Sequence, residues 1–426
     1  MILSDAELVL GLSRHLSAYA KTSERADLDT IEFAGWIYDL AFRLQGSTTN
    51  TPGRVRAMGR DIGLGQRDLT SVVATMEQLG WLIVDRDAQG RPLVVTETMP
   101  APGILIAESD NVLTACDAQP HDYAALSLLR ATTLQPLVIE DALAAAKTAP
   151  GASDETAEDA VRTLIAVGLV RRVRTEDGRD VVYNPNVWAQ GDQIAQAALA
   201  AADARSTVEL RGLLEELAEN PGLPEAHVTS TEPKWINFAI AQGLVQRSFI
   251  QTSEGIEQGF LFTPHLGRDP FGGTAGDASG QVRQLVGSMI YAATFAEYRL
   301  QNPALFLRRL IENGVAGDVT SIGTDYPMLE KAGIVKVIQG SSAQRYRLEL
   351  LRSDVAESAL SMLSIRDAAT SGGHDAAALR AQRSYVHVER ERARLGLTTD
   401  VDEVEQQRLL SALREVPVAR TLRSQK

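Results

Sequence analysis

The chain has 426 residues, of which 44% are hydrophobic and 23% are charged, and its formal net charge is −13. This hydrophobic content is sufficient for packed cores and excludes a disordered protein, while a single cysteine excludes a disulfide-stabilised scaffold. The acidic balance argues against nucleic-acid binding over the whole surface, although it allows one local basic face.

The N-terminal residues and the apolar runs predict a cytoplasmic protein without a membrane segment. Asp5 and Glu7 stand where a signal peptide needs basic residues. The longest apolar runs, such as 164–170, are far shorter than the roughly 20 residues that span a bilayer. Cys116 has no Cys or His at metal-ligand spacing, which indicates a half-buried thiol in a reducing compartment.

The first predicted elements form a helical group that ends in a hairpin. An amphipathic helix with Asp29 or Thr30 as its N-cap runs to Leu44, and two further helices are predicted over 56–64 and 68–79. The last of these is closed by Gly80, which we expect in the left-handed conformation that follows a helix. A polar turn between two apolar runs then predicts a hairpin over 84–95.

The same ending recurs three times along the chain. A helical apolar pattern again stops at a glycine that precedes a short apolar strand, at Gly168, Gly243 and Gly333. Each is followed by a predicted hairpin, over 171–183, 248–262 and 335–348. The second hairpin contains Asp177-Gly178, a strong turn signal. Repetition at the spacing of a small domain predicts four similar units.

The segments between these repeats are predicted to be helical or flexible. An Ala-rich helix, two amphipathic helices and a shorter helix are expected over 193–204, 207–219, 280–299 and 355–363. The glycine-rich segment 267–277 lacks the ending of a phosphate-binding loop and is interpreted as a linker. At the C-terminus, a charged helix is predicted over 375–395 and a second helix over 401–413. This pair could mediate dimerisation, contact DNA or bind a partner; the alternative is that it packs on the fourth repeat.

Helices closed by a glycine and followed by a hairpin resemble the winged helix-turn-helix superfamily. In that family the helix before the glycine is the recognition helix and the hairpin is the wing. The resemblance implies a mainly α chain with small β-hairpin wings, in about four tandem winged-helix domains with a C-terminal helical extension. The implied boundaries are 1–100, 101–190, 191–267, a linker at 268–278, 279–351, and the extension at 352–426.

The first repeat carries the predicted DNA-binding site. Its apolar stripe is core, and the remaining polar side chains would gather near helix N-termini and on the wing. We expect arginines to contact phosphates or guanines, and Gln, Thr and Ser to reach base edges. These residues are Arg54, Arg56, Arg60, Gln66, Arg67, Thr70 and Ser71, with Arg86 and Arg91 on the wing.

The other repeats are less basic at the corresponding helix. The second opens with the acidic run 154–159, and only its wing, with Arg171, Arg172 and Arg174, is expected to touch a DNA backbone. The third has Lys234 and a tryptophan interpreted as core, and the fourth opens at 325–328 without positive charge. We interpret repeats two to four as interaction or architectural modules.

No enzyme motif is present in the sequence. The six histidines lack metal-binding spacing, and neither a nucleophile elbow nor a dinucleotide fingerprint occurs. We therefore predict a non-enzymatic protein with no cofactor and no metal.

The resemblance implies a sequence-reading protein that binds double-stranded DNA, as a transcriptional regulator or the DNA-recognition component of a larger bacterial assembly. One alternative is a scaffold that binds protein partners, similar to the condensin-associated kite proteins or to a subunit of an antiviral system. Another is binding of RNA hairpins, as by the winged helices of the selenocysteine-specific elongation factor. Salt separates nucleic-acid binding, which it weakens steeply, from an apolar protein interface.

Overall fold

The computed structural model describes residues 4–18, 23–134, 136–174, 178–184, 204–241, 244–252, 255–263, 278–296, 299–320, 327–342, 345–366, 379 and 382–398. Within these ranges the chain is mainly helical, with four small antiparallel sheets of three or four strands. No helix in these ranges combines the length and the apolar composition needed to cross a bilayer.

The secondary-structure elements alternate between helical groups and hairpins. The helices are α1 (Asp5–Leu16), α2 (Ser23–Ala26), α3 (Asp29–Leu44), α4 (Pro52–Asp61), α5 (Gln66–Gln78), α6 (Pro102–Ala107), α7 (Ser109–Ala115), α8 (Pro120–Leu134), α9 (Ile139–Ala146), α10 (Asp154–Ala166), α11 (Ala204–Glu219), α12 (Pro233–Ala241), α13 (Ala278–Thr294), α14 (Pro303–Asn313), α15 (Met328–Lys331), α16 (Ser353–Arg366) and α17 (Val388–Thr398). The strands are β1 (Thr49–Asn50), β2 (Leu82–Arg86), β3 (Pro92–Glu97), β4 (Leu137–Val138), β5 (Arg171–Arg174), β6 (Asp180–Tyr183), β7 (Leu223–Pro224), β8 (Gln246–Thr252), β9 (Glu257–Phe262), β10 (Val315–Thr320), β11 (Val335–Gln339), β12 (Arg345–Leu350) and β13 (Gln382–Val386).

Four units share one strand topology. In each, a helix leads into a short strand, and this strand pairs antiparallel with the second strand of the hairpin that ends the unit. The strand orders are β1-β3-β2, β4-β6-β5, β7-β9-β8 and β10-β12-β11. The units begin at α3, α8, α11 and α14, and they are called the first to fourth units below.

The glycines that precede the hairpins adopt the predicted conformation wherever the structure describes them. Gly80, Gly168 and Gly333 have φ values of 74°, 70° and 72°, while Gly243 lies outside the described residues. The amide after Gly80 donates to the carbonyl of Met76 at 2.9 Å, and the amide after Gly333 donates to that of Leu329 at 3.1 Å. These bonds close the preceding helix.

The C-terminal segment differs from the prediction. The expected continuous helix over 375–395 is wrong at 382–386, where β13 pairs antiparallel with β8 as a fourth strand of the third sheet. Gln382 is fully buried there and exchanges hydrogen bonds with Ser288. The edge of β8 satisfies the backbone of this segment, so tertiary pairing overrides its helical pattern. Helix α17 then packs on α1 and α12.

Other local predictions have simpler outcomes. Helix α3 begins at Asp29, but its N-cap is Leu28, without a side-chain cap, so capping by Asp29 or Thr30 is wrong. Helices over 207–219 and 355–363 are present within α11 and α16, whereas the helix predicted over 280–299 ends earlier, at Thr294 of α13. The predicted segments 193–203, 268–277 and 401–413 lie outside the described residues, whereas Ala278 starts α13.

Each of the two larger cores joins neighbouring units of the chain. One buried cluster joins α1, α6 and α7 to the first and second units, and another joins α13 and the third sheet to the fourth unit and α16. A smaller cluster includes α11, α12 and Leu395 of α17. The two ends of the described chain therefore contribute to the packing of the units between them.

Within the first core, Tyr38 provides a test of stability. Its side chain is fully buried against Phe42 and Trp81, and its hydroxyl has no hydrogen-bond partner among the described residues. A buried unsatisfied hydroxyl costs about 1–3 kcal/mol. We expect Tyr38→Phe to leave the urea unfolding midpoint unchanged or to raise it. A clear decrease in that midpoint would show that the hydroxyl has a partner.

Candidate nucleic-acid interface

One face of helix α5 is apolar and buried, and the opposite face is polar and exposed. Leu69, Val72 and Met76 are buried against the first unit. The opposite face exposes a polar stripe over the first two turns, because residues four apart share a helix face. This stripe consists of Gln66, Arg67, Thr70 and Ser71. The Thr70 hydroxyl donates to the Gln66 carbonyl at 2.8 Å, and that of Ser71 to the Arg67 carbonyl at 3.4 Å.

Exposed arginines flank the turn between α4 and α5. Arg56 and Arg60 lie one helical turn apart on α4, and the Arg56 Nε donates to the Pro52 carbonyl at 3.3 Å. Arg60 and Arg67 form no ion pair with any residue that the structure describes. The turn leaves α4 through Gly63, with a φ of 88°, and α5 follows the N-cap Gly65. Two guanidiniums are thus free to bind an anion beside this turn.

Arg54 does not belong to this surface. It is 4% exposed, and its Nη1 donates to the Ser47 Oγ at 2.5 Å and the Asn50 Oδ1 at 2.7 Å. It also lies in the electrostatic field of Glu330 in the fourth unit. Arg54 therefore fixes the segment before α4 from inside the protein, and the prediction that it contacts a phosphate does not fit its position.

The arginines of the first hairpin are exposed but already ion-paired. Arg86 binds Glu77 of α5 through two hydrogen bonds, one of them 2.9 Å between Nη1 and Oε1. The Arg91 Nε lies 2.8 Å from the Asp87 Oδ2 at the hairpin turn. A hydrogen bond from Arg86 lowers the pKa of Glu77, which keeps the carboxylate ionised. A phosphate has to compete with these carboxylates for the two arginines.

The second unit has a basic hairpin but an acidic helix. Arg172 is exposed and forms an ion pair with Asp180, and Arg174 is exposed with its Nε 3.4 Å from the Gly178 carbonyl. Arg171 is half-buried. The exposed face of α10 carries acidic side chains, at Asp154, Glu155 and Glu158. The helix that corresponds to α5 in this unit would therefore repel phosphates.

In the third and fourth units the corresponding helices are used for internal packing. Helix α12 packs against α17, and Trp235 is half-buried, with Phe238 6.0 Å from its ring and the Lys234 Nζ 5.5 Å from it. Helix α15 has four residues, the first three of them buried, and it packs on α4 of the first unit. The Lys331 Nζ donates to the Arg383 carbonyl at 2.6 Å.

The described residues carry neither a cluster of metal ligands nor a readily ionised thiol. Among them, no three His, Cys, Asp or Glu side chains are grouped as a metal site. Burial raises the pKa of Cys116 to about 12, which keeps the thiol protonated. Comparison with models of known protein families, and with curated proteins, found no match for this chain.

Proposed function

We propose that the four units are winged helices and that the first binds double-stranded DNA with α5 in the major groove. The observation that carries this proposal is the exposed polar stripe of α5, which includes Arg67, beside the exposed Arg60 of α4; neither arginine is paired with an acidic side chain among the described residues. The order of helices and strands, with a left-handed glycine before the first, second and fourth hairpins, also supports it.

The residues of the first unit divide into two roles. Arg56, Arg60 and Arg67 bind phosphates, while Gln66, Thr70 and Ser71 contact base edges, for which Gln and hydroxyl side chains are suited. Arg86 and Arg91 of the first hairpin, and Arg172 and Arg174 of the second, exchange their carboxylate or carbonyl partners for backbone phosphates. Arg171, which is half-buried, contributes positive charge at the base of the second hairpin.

Such a protein acts in the cytoplasm as a transcriptional regulator or as the DNA-recognition part of a larger bacterial assembly. We propose no catalytic activity, cofactor or metal for it.

The double variant Arg60→Ala/Arg67→Ala tests the proposal. Because both side chains are assigned to phosphates, we expect at least a tenfold loss of duplex affinity at low salt and a log–log salt slope smaller by about 2. Fluorescence anisotropy across a salt series measures both quantities, with random duplex and duplex from upstream of the gene.

The matched control is Arg162→Ala/Arg308→Ala, which removes the same charge from exposed positions on α10 and α14. Equal binding by the two double variants would refute the site assignment. Absence of binding to either duplex at low salt would refute DNA binding itself.

A non-catalytic scaffold for protein partners is the second candidate. Three observations favour it: α12 and α15 are packed against other helices of the chain, the exposed face of α10 is acidic, and the net charge is −13. On this hypothesis the protein binds a partner protein, and the affinity depends little on the salt concentration. Arg60→Ala/Arg67→Ala then leaves that affinity unchanged.

A further inference from the structure

A cleft of about 290 Å³ lies behind the turn that joins α4 to α5. Its walls come from α1, α2, α3, this turn, the first turn of α5, and the C-terminal residues 385–390. Charged side chains line it from each of these helices, from Asp61 at the end of α4 and from Arg390, together with Trp36. A lining of this kind suits a small polar ligand rather than an apolar one.

Most charges in the cleft are neutralised by partners. The Arg14 Nε lies 3.2 Å from the Asp39 Oδ2, and the Arg25 Nη2 lies 2.5 Å from the Glu32 Oε1. Asp61 receives the Arg43 Nη1 at 2.8 Å. Buried ion pairs contribute little net stability because desolvation offsets their attraction. Their concentration at one cleft is therefore poorly explained by stability alone.

Two lining charges are left over. Asp68, in the first turn of α5, and Arg390, exposed on α17, have no ion pair or hydrogen bond with any described residue. Burial and the nearby Arg14 lower the pKa of His387, so this ring adds no charge at neutral pH. After internal pairing, the cleft thus offers one negative and one positive group.

Two residues that line the cleft carry buried polar atoms without hydrogen-bond partners among the described residues. The side chain of Asp61 is 2% exposed, and its Oδ1 accepts no hydrogen bond from the described residues, with the Lys331 Nζ 3.8 Å away. The Nε2 of His387 is likewise buried without a partner among them. Leaving such atoms unsatisfied is costly, and a ligand that hydrogen-bonds to them removes this cost.

We infer that the cleft binds a small zwitterion of the free α-amino acid class, with its ammonium group toward Asp68 and Asp61 and its carboxylate toward Arg390. A ligand with a single charge would leave one of the two spare groups unsatisfied. Trp36 provides an aromatic surface for the carbon side chain. Because Asp68 belongs to α5, a bound amino acid would also contact the helix that we assign to DNA binding. This consequence rests on the proposed function.

The test uses the full chain without DNA, so its outcome does not depend on that function. Each of the common amino acids is added separately as the probe, with thermal unfolding as the screen and titration calorimetry as the measurement. We expect at least one to bind saturably with one site per chain. Asp68→Asn and Arg390→Gln should each weaken its binding by about tenfold or more, since each removes a charge-assisted hydrogen bond.

Two variants serve as matched controls. Asp141 is exposed and occupies the same position in the first turn of α9 as Asp68 does in α5, so Asp141→Asn reproduces the cost to the helix terminus. Arg308→Gln removes an exposed arginine elsewhere. The inference is overturned if no amino acid binds, or if both cleft variants bind as tightly as these controls.

Discussion

Replacing Gly333 with alanine is expected to disrupt the contact between the first and fourth units, whereas the same change at Gly80 should be mild. The two glycines hold the same place in their units, with φ values of 72° and 74°. An L-residue in this conformation costs about 1–2 kcal/mol. We expect only this cost at Gly80, where an added Cβ meets nothing within 4 Å.

At Gly333 the surroundings are different. An added Cβ would lie 1.9 Å from the carbonyl oxygen of Arg43 and 2.7 Å from its Cα, both of them backbone atoms. Two side chains connect α3 to this segment: the Arg43 Nη1 donates to the Lys331 carbonyl at 2.9 Å, and the Gln281 Nε2 donates both to the Ala332 carbonyl at 2.8 Å and to the Phe42 carbonyl at 3.5 Å. The end of α3 cannot move away without breaking these bonds.

We therefore expect Gly333→Ala to cost more than about 4 kcal/mol, the range of large steric and packing defects. Urea unfolding midpoints of the two alanine variants measure the difference. Hydrogen exchange should show new opening at the end of α3 and at α15 in Gly333→Ala alone. Midpoints that fall equally in both variants would mean that the first and fourth units do not meet at this position.

Asp39→Asn should produce the second large loss of stability. Asp39 is 6% exposed and lies between two buried arginines, with its Oδ2 3.2 Å from the Arg14 Nε and its Oδ1 2.9 Å from the Arg43 Nε. Removing one partner of a buried ion pair costs about 3–5 kcal/mol because the remaining charge stays buried. The control is Asp159→Asn, since its pair with Arg162 is exposed and is expected to contribute about 0–1 kcal/mol.

The same carboxylate makes stability depend on pH in a defined direction. Burial alone would raise the pKa of Asp39, but the Arg14 and Arg43 guanidiniums outweigh it and hold the pKa well below its usual range. The folded state therefore binds this proton less readily than the unfolded state, whose Asp has a pKa of about 3.9. The stabilisation is present above that pH and is lost as the pH falls.

Urea midpoints measured between pH 7 and pH 3 test this sign. The decrease on acidification should be smaller in Asp39→Asn than in the wild type. An identical pH profile for the two proteins would contradict the assigned role of Asp39.

These contacts have a consequence for the proposed DNA-binding unit. The back of the first unit is held by α15 and by the junction of Arg43 with the fourth unit, while the polar stripe of α5 faces solvent. The fourth unit thus acts as a support for the first, and the two variants at this junction are expected to change stability rather than remove a contact to DNA.

The sequence by itself determined the local architecture. The predicted helix over 68–79 and the hairpins correspond to α5 and to the observed strand pairs, and Gly80, Gly168 and Gly333 are left-handed as expected. Such features depend on side-chain periodicity and on the backbone freedom of glycine, which are properties of short segments. The exposed stripe of α5 could be predicted for the same reason, because its apolar residues mark the face opposite to it.

Only the tertiary structure decided which charged residues are available. Arg54 is buried beside Asn50, Arg86 is paired with Glu77, and α15 packs against the first unit. The segment 382–386 is a strand because the edge of β8 lies beside it. Burial, ion pairing and strand addition depend on groups that are distant in sequence, and their energies are set by the low-dielectric surroundings that folding creates. No short segment contains that information.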